Sequence, residues 1–183
     1  GPRPLYDARR AIARARAMCG RGVYQLGTGD IDSDGDDPRD CFGFAVCELF
    51  GIKRHRPGFN RGSWATVSDD LNCNSALEDA HHGGELFAIV TRPEPGVLLA
   101  YPTIRLPGHE RPWIGHIAIV VSAIRALEWD SSRPDYSLLD VVHCHGPDGR
   151  RPGITRGDGS PMNLHDHNWP KPENRTWMLR VLP

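Results

Sequence analysis

The sequence predicts a single α+β domain, with helices first and an antiparallel sheet after them. Three observations carry that expectation. The 183 residues suit one domain with a substantial core. The 20 glycines and 16 prolines are too many for a helical bundle or coiled coil, and they break the chain into short elements joined by loops. Helical apolar spacings lie early in the chain, whereas runs of β-branched residues lie late.

Residues Ala8 to Met18 (ARRAIARARAM) read as a helix with small apolar positions on one side and arginines facing solvent, stopped by Gly20 and Gly22. A short extended segment, Val23 to Gly29, leads into Asp30 to Asp37 (DIDSDGDD), whose crowded aspartates read as a loop. From Cys41, CFGFAVCELFG reads as a buried helix closed by Gly51. Residues 53–82 are polar and irregular, with a short helix near Ser75 to His82. Strands are expected over Gly96–Tyr101, Gly115–Ser122, Leu138–His145 and Trp177–Leu182, with long connectors at 102–114 and 123–137. No repeat or low-complexity linker divides the chain, so residues 1–19 are expected to belong to the same domain as residues 20–183.

Charge and cysteine usage exclude several classes. With 22 basic and 23 acidic side chains, a net charge of −1 and a pI near 6.8, nothing draws the chain to nucleic acid or an anionic bilayer. No apolar run reaches the roughly 18 residues of a membrane-spanning helix. No secretory leader is read at the N-terminus, and Gly1-Pro2 resembles the remnant of a protease cut, which leaves location open. The cysteines, at 19, 41, 47, 73 and 144, are odd in number and form no CxxC pair. Neither a disulfide framework nor a zinc knuckle is expected, and at least one thiol should be free.

Asp40-Cys41-Phe42-Gly43-Phe44 is the strongest chemical feature. A cysteine in the first turn of a helix has its thiolate stabilised by unpaired N–H groups and the helix dipole. Gly43 would let another backbone approach closely. The alternative is a small buried hydrophobe opening a core helix, which is the expectation for Cys47. His116 enters an apolar strand, where, taken alone, a satisfied core histidine is the better reading. In His143-Cys144-His145, alternation sets the two histidines on one face and Cys144 on the other. Antiparallel neighbours could then bring His116 to one of those histidines, which assembles a nucleophile, a base and an orienting residue. A zinc site at His143, Cys144 and His145 is disfavoured by the same alternation. His81-His82 and His165-Asp166-His167 read as surface histidines. Trp64, Trp113 and Trp169 read as loop anchors or cleft walls.

Taken in order, Tyr24-Gln-Leu-Gly27, Asp40-Cys41-Phe-Gly-Phe44, Pro95-Gly96-Val-Leu-Leu-Ala-Tyr101, Gly115-His116-Ile-Ala-Ile-Val-Val-Ser122 and Val142-His143 resemble the papain-like cell-wall hydrolases of the NlpC and CHAP groups. The resemblance runs from about residue 20 to 155. It implies a papain-like α+β fold with Cys41 as nucleophile, His116 as base and His143 as the residue that orients His116. Tyr24 would sit beside the thiol, and His145 would lie near the cleft rim as a second substrate contact. Two departures, Phe42 for a small residue and Gly96-Val97 for Gly-Asp, touch packing and substrate shape.

Asp30-x-Asp32-x-Asp34-Gly35-Asp36 has the alternating carboxylates and central glycine of a calcium loop. The twelfth position from Asp30 is Cys41, where an EF-hand needs glutamate, so an EF-hand is excluded. Some CHAP-type lysins resemble this arrangement, with Asp-x-Asp-Gly beginning nine residues before the cysteine, as Asp32 does here. That resemblance implies structural calcium held by Asp32, Asp34 and the region of Asp36. A solvated Asx turn is the alternative.

The resemblance implies a peptidoglycan hydrolase, a cysteine endopeptidase cutting stem-peptide or cross-bridge bonds. An N-acetylmuramoyl-L-alanine amidase with the same site and a non-catalytic wall-binding module are the alternatives. It further implies work in the cell wall or periplasm as a phage lysin, a remodelling enzyme or an interbacterial effector, the last with an immunity protein as partner.

Overall fold

An antiparallel six-stranded sheet organises the chain. The computed structural model describes residues 8–59, 69–103, 108, 110, 114–146, 153–156 and 176–183. Trp64, Trp113, Trp169 and His165 to His167 lie outside these residues. In order, the elements are α1 (Ala8–Met18), α2 (residues 41–50), α3 (Cys73–His81), β1 (Phe87–Val90), β2 (Leu98–Tyr101), β3 (His116–Ser122), a 3₁₀ turn (Tyr136–Leu138), β4 (Asp140–His145), β5 (Gly153–Arg156) and β6 (Trp177–Val181). The sheet order is β1-β6-β2-β3-β4-β5, and every adjacent pair is antiparallel. The α+β class and the antiparallel sheet therefore agree with the sequence expectation.

α1 buries Ala11, Ala15 and Met18, a spacing that keeps one narrow stripe of small residues against the sheet. α2 is buried as expected, at all ten of its residues. Its central turns, Gly43–Glu48, are π-wound, and the Leu49 N–H donates to the Phe44 carbonyl five residues back. Glu48 is buried there only because two arginines hold it: Arg39 Nε donates at 2.7 Å and Arg14 Nε at 3.2 Å. Burial pushes the Glu48 carboxyl pKa up, and those arginines oppose the shift.

α1 and α2 cover one face of the sheet, packing on Leu98, Ala100, Ile117, Ile119, Val142 and Cys144. α3 lies against β1 and β2. The opposite face, with Val97, Leu99, Ala118, Val120 and Val141, is covered by Trp129, Tyr136 and Leu139 from the connector that follows β3. Trp129 Nε1 donates to the Thr91 carbonyl at 2.9 Å, and the Tyr136 hydroxyl donates to the Thr176 carbonyl at 3.2 Å. A segment expected to be a plain connector is thus the second cover of the sheet. That is why β3 is apolar at every interior position.

Two strands were not expected. β1 (FAIV) is four residues long at an edge of the sheet, with Ile89 exposed. β5 (GITR) buries Ile154 next to a glycine. Neither is long enough to show a period. α3 begins two residues before the expected start, because Asn72 caps it reciprocally with Ser75.

Gly43 is required by close approach. A methyl group there would stand 2.5 Å from the Thr28 carbonyl oxygen and 2.8 Å from Gly29 Cα. Gly29 itself has φ of 99°, a left-handed conformation that glycine adopts freely. Gly43→Ala is therefore expected to lower the unfolding free energy by about 1–3 kcal/mol through overpacking, read as a lower urea midpoint at unchanged slope.

Candidate active site

Four element ends meet at one end of the sheet. They are the starts of α2 and α3, the end of β2 and the start of β3, and Tyr101 stands opposite His116 in the β2–β3 register. Between them opens a cleft of about 260 Å³ whose lining includes Cys41, Asn72, Cys73, Asn74, Thr103 and Gly115.

Cys41 is set at the first turn of α2 by the residue before it. Asp40 Oδ1 accepts the Gly43 N–H at 2.8 Å, which is N-cap geometry. The same carboxylate accepts the Gly27 N–H at 2.9 Å and takes both terminal nitrogens of Arg54, at 2.8 and 2.6 Å. Arg54 in turn donates to the Thr28 carbonyl at 2.9 Å. Asp40 and Arg54 are both buried, so this bidentate pair is a desolvated joint between α2, the 27–29 turn and the chain after α2.

The Cys41 thiol lies 5% exposed, and its pKa is held down to about 5. The largest cause is a hydrogen bond from Cys73. A hydrogen bond and positive charge from His116 add to it, while burial and the charge on Asp40 oppose. Cys73 moves the other way, well above the usual thiol range, because its proton is shared with Cys41 and because it is buried. The pair gives up one proton at low pH and keeps the second. The negative charge sits on Cys41, the sulfur with a histidine beside it. Cys47 and Cys144 are pushed up by burial, and Cys144 donates to the Arg39 carbonyl at 3.3 Å inside the core. The expected packing role of Cys47 and the expected opposite face of Cys144 both agree with this.

His116 and His143 meet at 2.8 Å between Nε2 and Nδ1. Burial, reinforced by charge on His116 and His145, holds His143 far below the usual imidazole range, so it is neutral. His145 stacks on His143 with 4.6 Å between ring centroids. Tyr24 makes a one-residue parallel bridge to Arg39, and its ring packs half-buried against the main core. The tyrosine that faces His116 is Tyr101, at 6.1 Å between ring centroids. Burial, then the charge shared by Cys41 and Cys73, raises the Tyr101 phenol and keeps it protonated.

The acidic loop is arranged as Asx turns. Asp34 accepts the Gly35 N–H at 2.7 Å and lies 3.5 Å from an Arg14 nitrogen. Asp36 accepts the Gly22 N–H at 3.2 Å and lies 3.9 Å from Arg21. Asp30 accepts the Ile31 and Arg54 N–H groups, and Asp32 is exposed. Among the described residues, no three His, Cys, Asp or Glu side chains gather as a metal ion would need.

Cys73, Arg54 and Tyr101 are the site residues that sequence reasoning did not reach. Asp40-Cys41-Phe42-Gly43 and Asn72-Cys73-Asn74-Ser75 share a local signal, an Asx cap followed at once by cysteine, and that repetition could have singled out Cys73. No signal local to Arg54 shows its partner. No family model matches this chain, and neither a curated protein nor a solved structure matches it.

Two outcomes follow from the geometry. Asp40→Ala leaves the Arg54 charge buried without its partner and α2 uncapped, and is expected to cost about 3–5 kcal/mol of stability in chemical denaturation. Alkylation of Cys41 by iodoacetamide, followed site by site with mass spectrometry, is expected to stay fast down to about pH 5 and to fall below it as the thiolate takes up its proton. An ordinary thiol would slow below about pH 8.5.

Proposed function

We propose that the protein is a cysteine hydrolase of papain-like architecture that cuts amide bonds in peptidoglycan, with Cys41 as nucleophile, His116 as acid and base, and His143 as the residue orienting His116. One observation carries this reading. A low-pKa thiol at a helix start has beside it a histidine that is itself held by a second, neutral histidine. A helix bearing the thiol, packed on an antiparallel sheet bearing the histidines, supports the papain-like assignment. The ordered motif resemblance supports the wall substrate.

The chemistry follows from the groups present. In the proposed step the thiol proton passes to His116, whose Nε2 is held 2.8 Å from His143 Nδ1. The Cys41 sulfur attacks the amide carbonyl, and the Cys41 N–H at the start of α2 steadies the oxyanion. His116 then protonates the departing amine as the C–N bond breaks. Water enters, gives its proton to His116 and hydrolyses the acyl-enzyme. His143 stays neutral throughout and fixes the ring of His116. Leu26, Phe42 and Ile114 supply apolar cleft wall, while Asn72, Asn74 and Thr103 offer polar groups suited to an extended peptide.

Cys41→Ala is expected to remove wall-lytic activity by about 10³-fold or more. His143→Ala is expected to lower kcat about 10²-fold with little change in KM. Mass spectrometry of digested peptidoglycan identifies the bond: new peptide termini support the endopeptidase reading, and release of intact stem peptide from the sugar supports the amidase. Unchanged lysis by Cys41→Ala would overturn both.

A further inference from the structure

Asn74, the second residue of α3, lines the same cleft as Cys41, and its carboxamide is held one way round. Its Oδ1 accepts the Thr103 N–H at 2.9 Å. A backbone N–H can bond to the oxygen of a carboxamide but not to its NH2, so this contact decides which end is which. Thr103 is fixed in turn. Its Oγ1 accepts the Gly115 N–H at 3.1 Å, and Gly115 immediately precedes His116. A methyl group on Gly115 would stand 2.8 Å from the Tyr101 carbonyl oxygen and 3.0 Å from the Thr103 nitrogen, so the two chains meet closely there. On the helix side, Asn72 caps α3 by accepting the Ser75 N–H at 3.0 Å. Asn74 is therefore anchored from both directions, and one hydrogen-bonded chain registers it to the residue before the base.

The Asn74 oxygen is committed to the fold, whereas among the described residues its NH2 has no protein partner. The charged groups of the lining behave differently, because Asp40 and Arg54 hold each other through two short contacts. What Asn74 offers the cleft is a neutral donor on a fixed mount, which is the kind of group that steadies an oxygen as it gains negative charge without first having to reorganise.

We propose that Asn74 is a further catalytic residue of this site, its Nδ2–H donating to the carbonyl oxygen of the amide under attack as a partner to the Cys41 N–H. This rests on the reading of Cys41 as nucleophile. As the S–C bond forms, the π pair of the carbonyl moves onto oxygen, and the two N–H groups meet that charge. When the intermediate collapses, the C=O bond is restored, the C–N bond breaks and the amine leaves with the proton that His116 supplies. The Asn74 protons stay on their own nitrogen throughout.

The test compares the parent, Asn74→Asp and Asn74→Ala in the full chain, with kcat and KM measured across pH on soluble cross-linked muropeptides. Asn74→Asp keeps an oxygen for the Thr103 N–H and loses the donor. Its kcat on the pH plateau is expected to fall about 10²–10³-fold with KM changed only a few-fold. The plateau is the quantity to read, because a new carboxylate near the thiol would also displace the acid limb. Iodoacetamide supplies the second readout, since displacement of iodide at a tetrahedral carbon forms no oxyanion. The plateau rate of Cys41 alkylation is therefore expected to match the parent in both variants. Near-parent kcat in Asn74→Asp with a low value in Asn74→Ala would make Asn74 a brace for Thr103 alone and overturn the proposal. An equal fall in kcat and alkylation would also overturn it, since Asn74 would then act through the thiol. Should Asn74→Asp not fold, the same comparison of kcat with alkylation in Asn74→Ala decides. A parent that cleaves no muropeptide, or an Asn74-intact Cys41→Ala that still does, would instead remove the reading on which the proposal rests.

Discussion

The carboxylate of Asp40 accepts from four N–H groups that belong to three separate parts of the chain: the Gly27 and Gly43 backbones and two nitrogens of Arg54. In a buried setting such a group is costly to leave partly satisfied, so all four contacts must form together. That requirement fixes where α2 starts, how the 27–29 turn presses against Gly43, and where the chain after Gly51 returns. The position of Cys41 is a by-product of this constraint. Its sulfur is aimed because the residue before it cannot move without stranding Arg54.

The charges on the cleft side of Asp40 are arranged differently. Asp40 is already matched by Arg54, so the extra negative charge at Cys41 is met by a sulfur proton, a histidine and the first N–H groups of a helix. His143 adds no charge of its own. A neutral imidazole behind His116 holds the ring by one hydrogen bond and attracts a proton there less strongly than a carboxylate would. The cleft therefore concentrates its electrostatics on the thiol, and His143 meets His116 without adding a charge. Below the sheet, Glu48 repeats the pattern of Asp40, since a buried carboxylate is tolerated where arginines from two other segments reach it.

The parts of this arrangement that could be read from sequence are those whose cause is local. α1 and the closing glycine of α2 declare themselves through apolar spacing and through Gly51, which adopts φ of 67°. β2, β3, β4 and β6 declare themselves through β-branched runs, and Cys41, His116 and His143 through motifs in a recognisable order. β1 and β5 carry too few residues for a period. The covering role of Trp129 and Tyr136 depends on where their connector lands, which no run of residues records. Arg54 sits in a polar stretch where an arginine is ordinarily solvated, and only the tertiary position of Asp40 makes it a structural residue. Cys73 and Tyr101 join the site in the same way, through contacts between segments far apart in the chain. The acidic loop shows the converse. Its alternating aspartates form a legible pattern, yet in the folded protein their oxygens turn to neighbouring N–H groups and arginines.

The position of β6 has a consequence for when the cleft can exist. β6 lies between β1 and β2, and among the described residues β1 has no other sheet partner. α3, which carries Cys73, rests on β1 and β2. The wall opposite Cys41 therefore stands on a platform whose middle plank is made last. A chain growing from its N-terminus holds Cys41, His116 and His143 well before it holds residues 177–181, and over that interval α3 has no completed surface to seat it. The side of the cleft that carries Cys73 is thus completed only when the last strand of the sheet joins its neighbours.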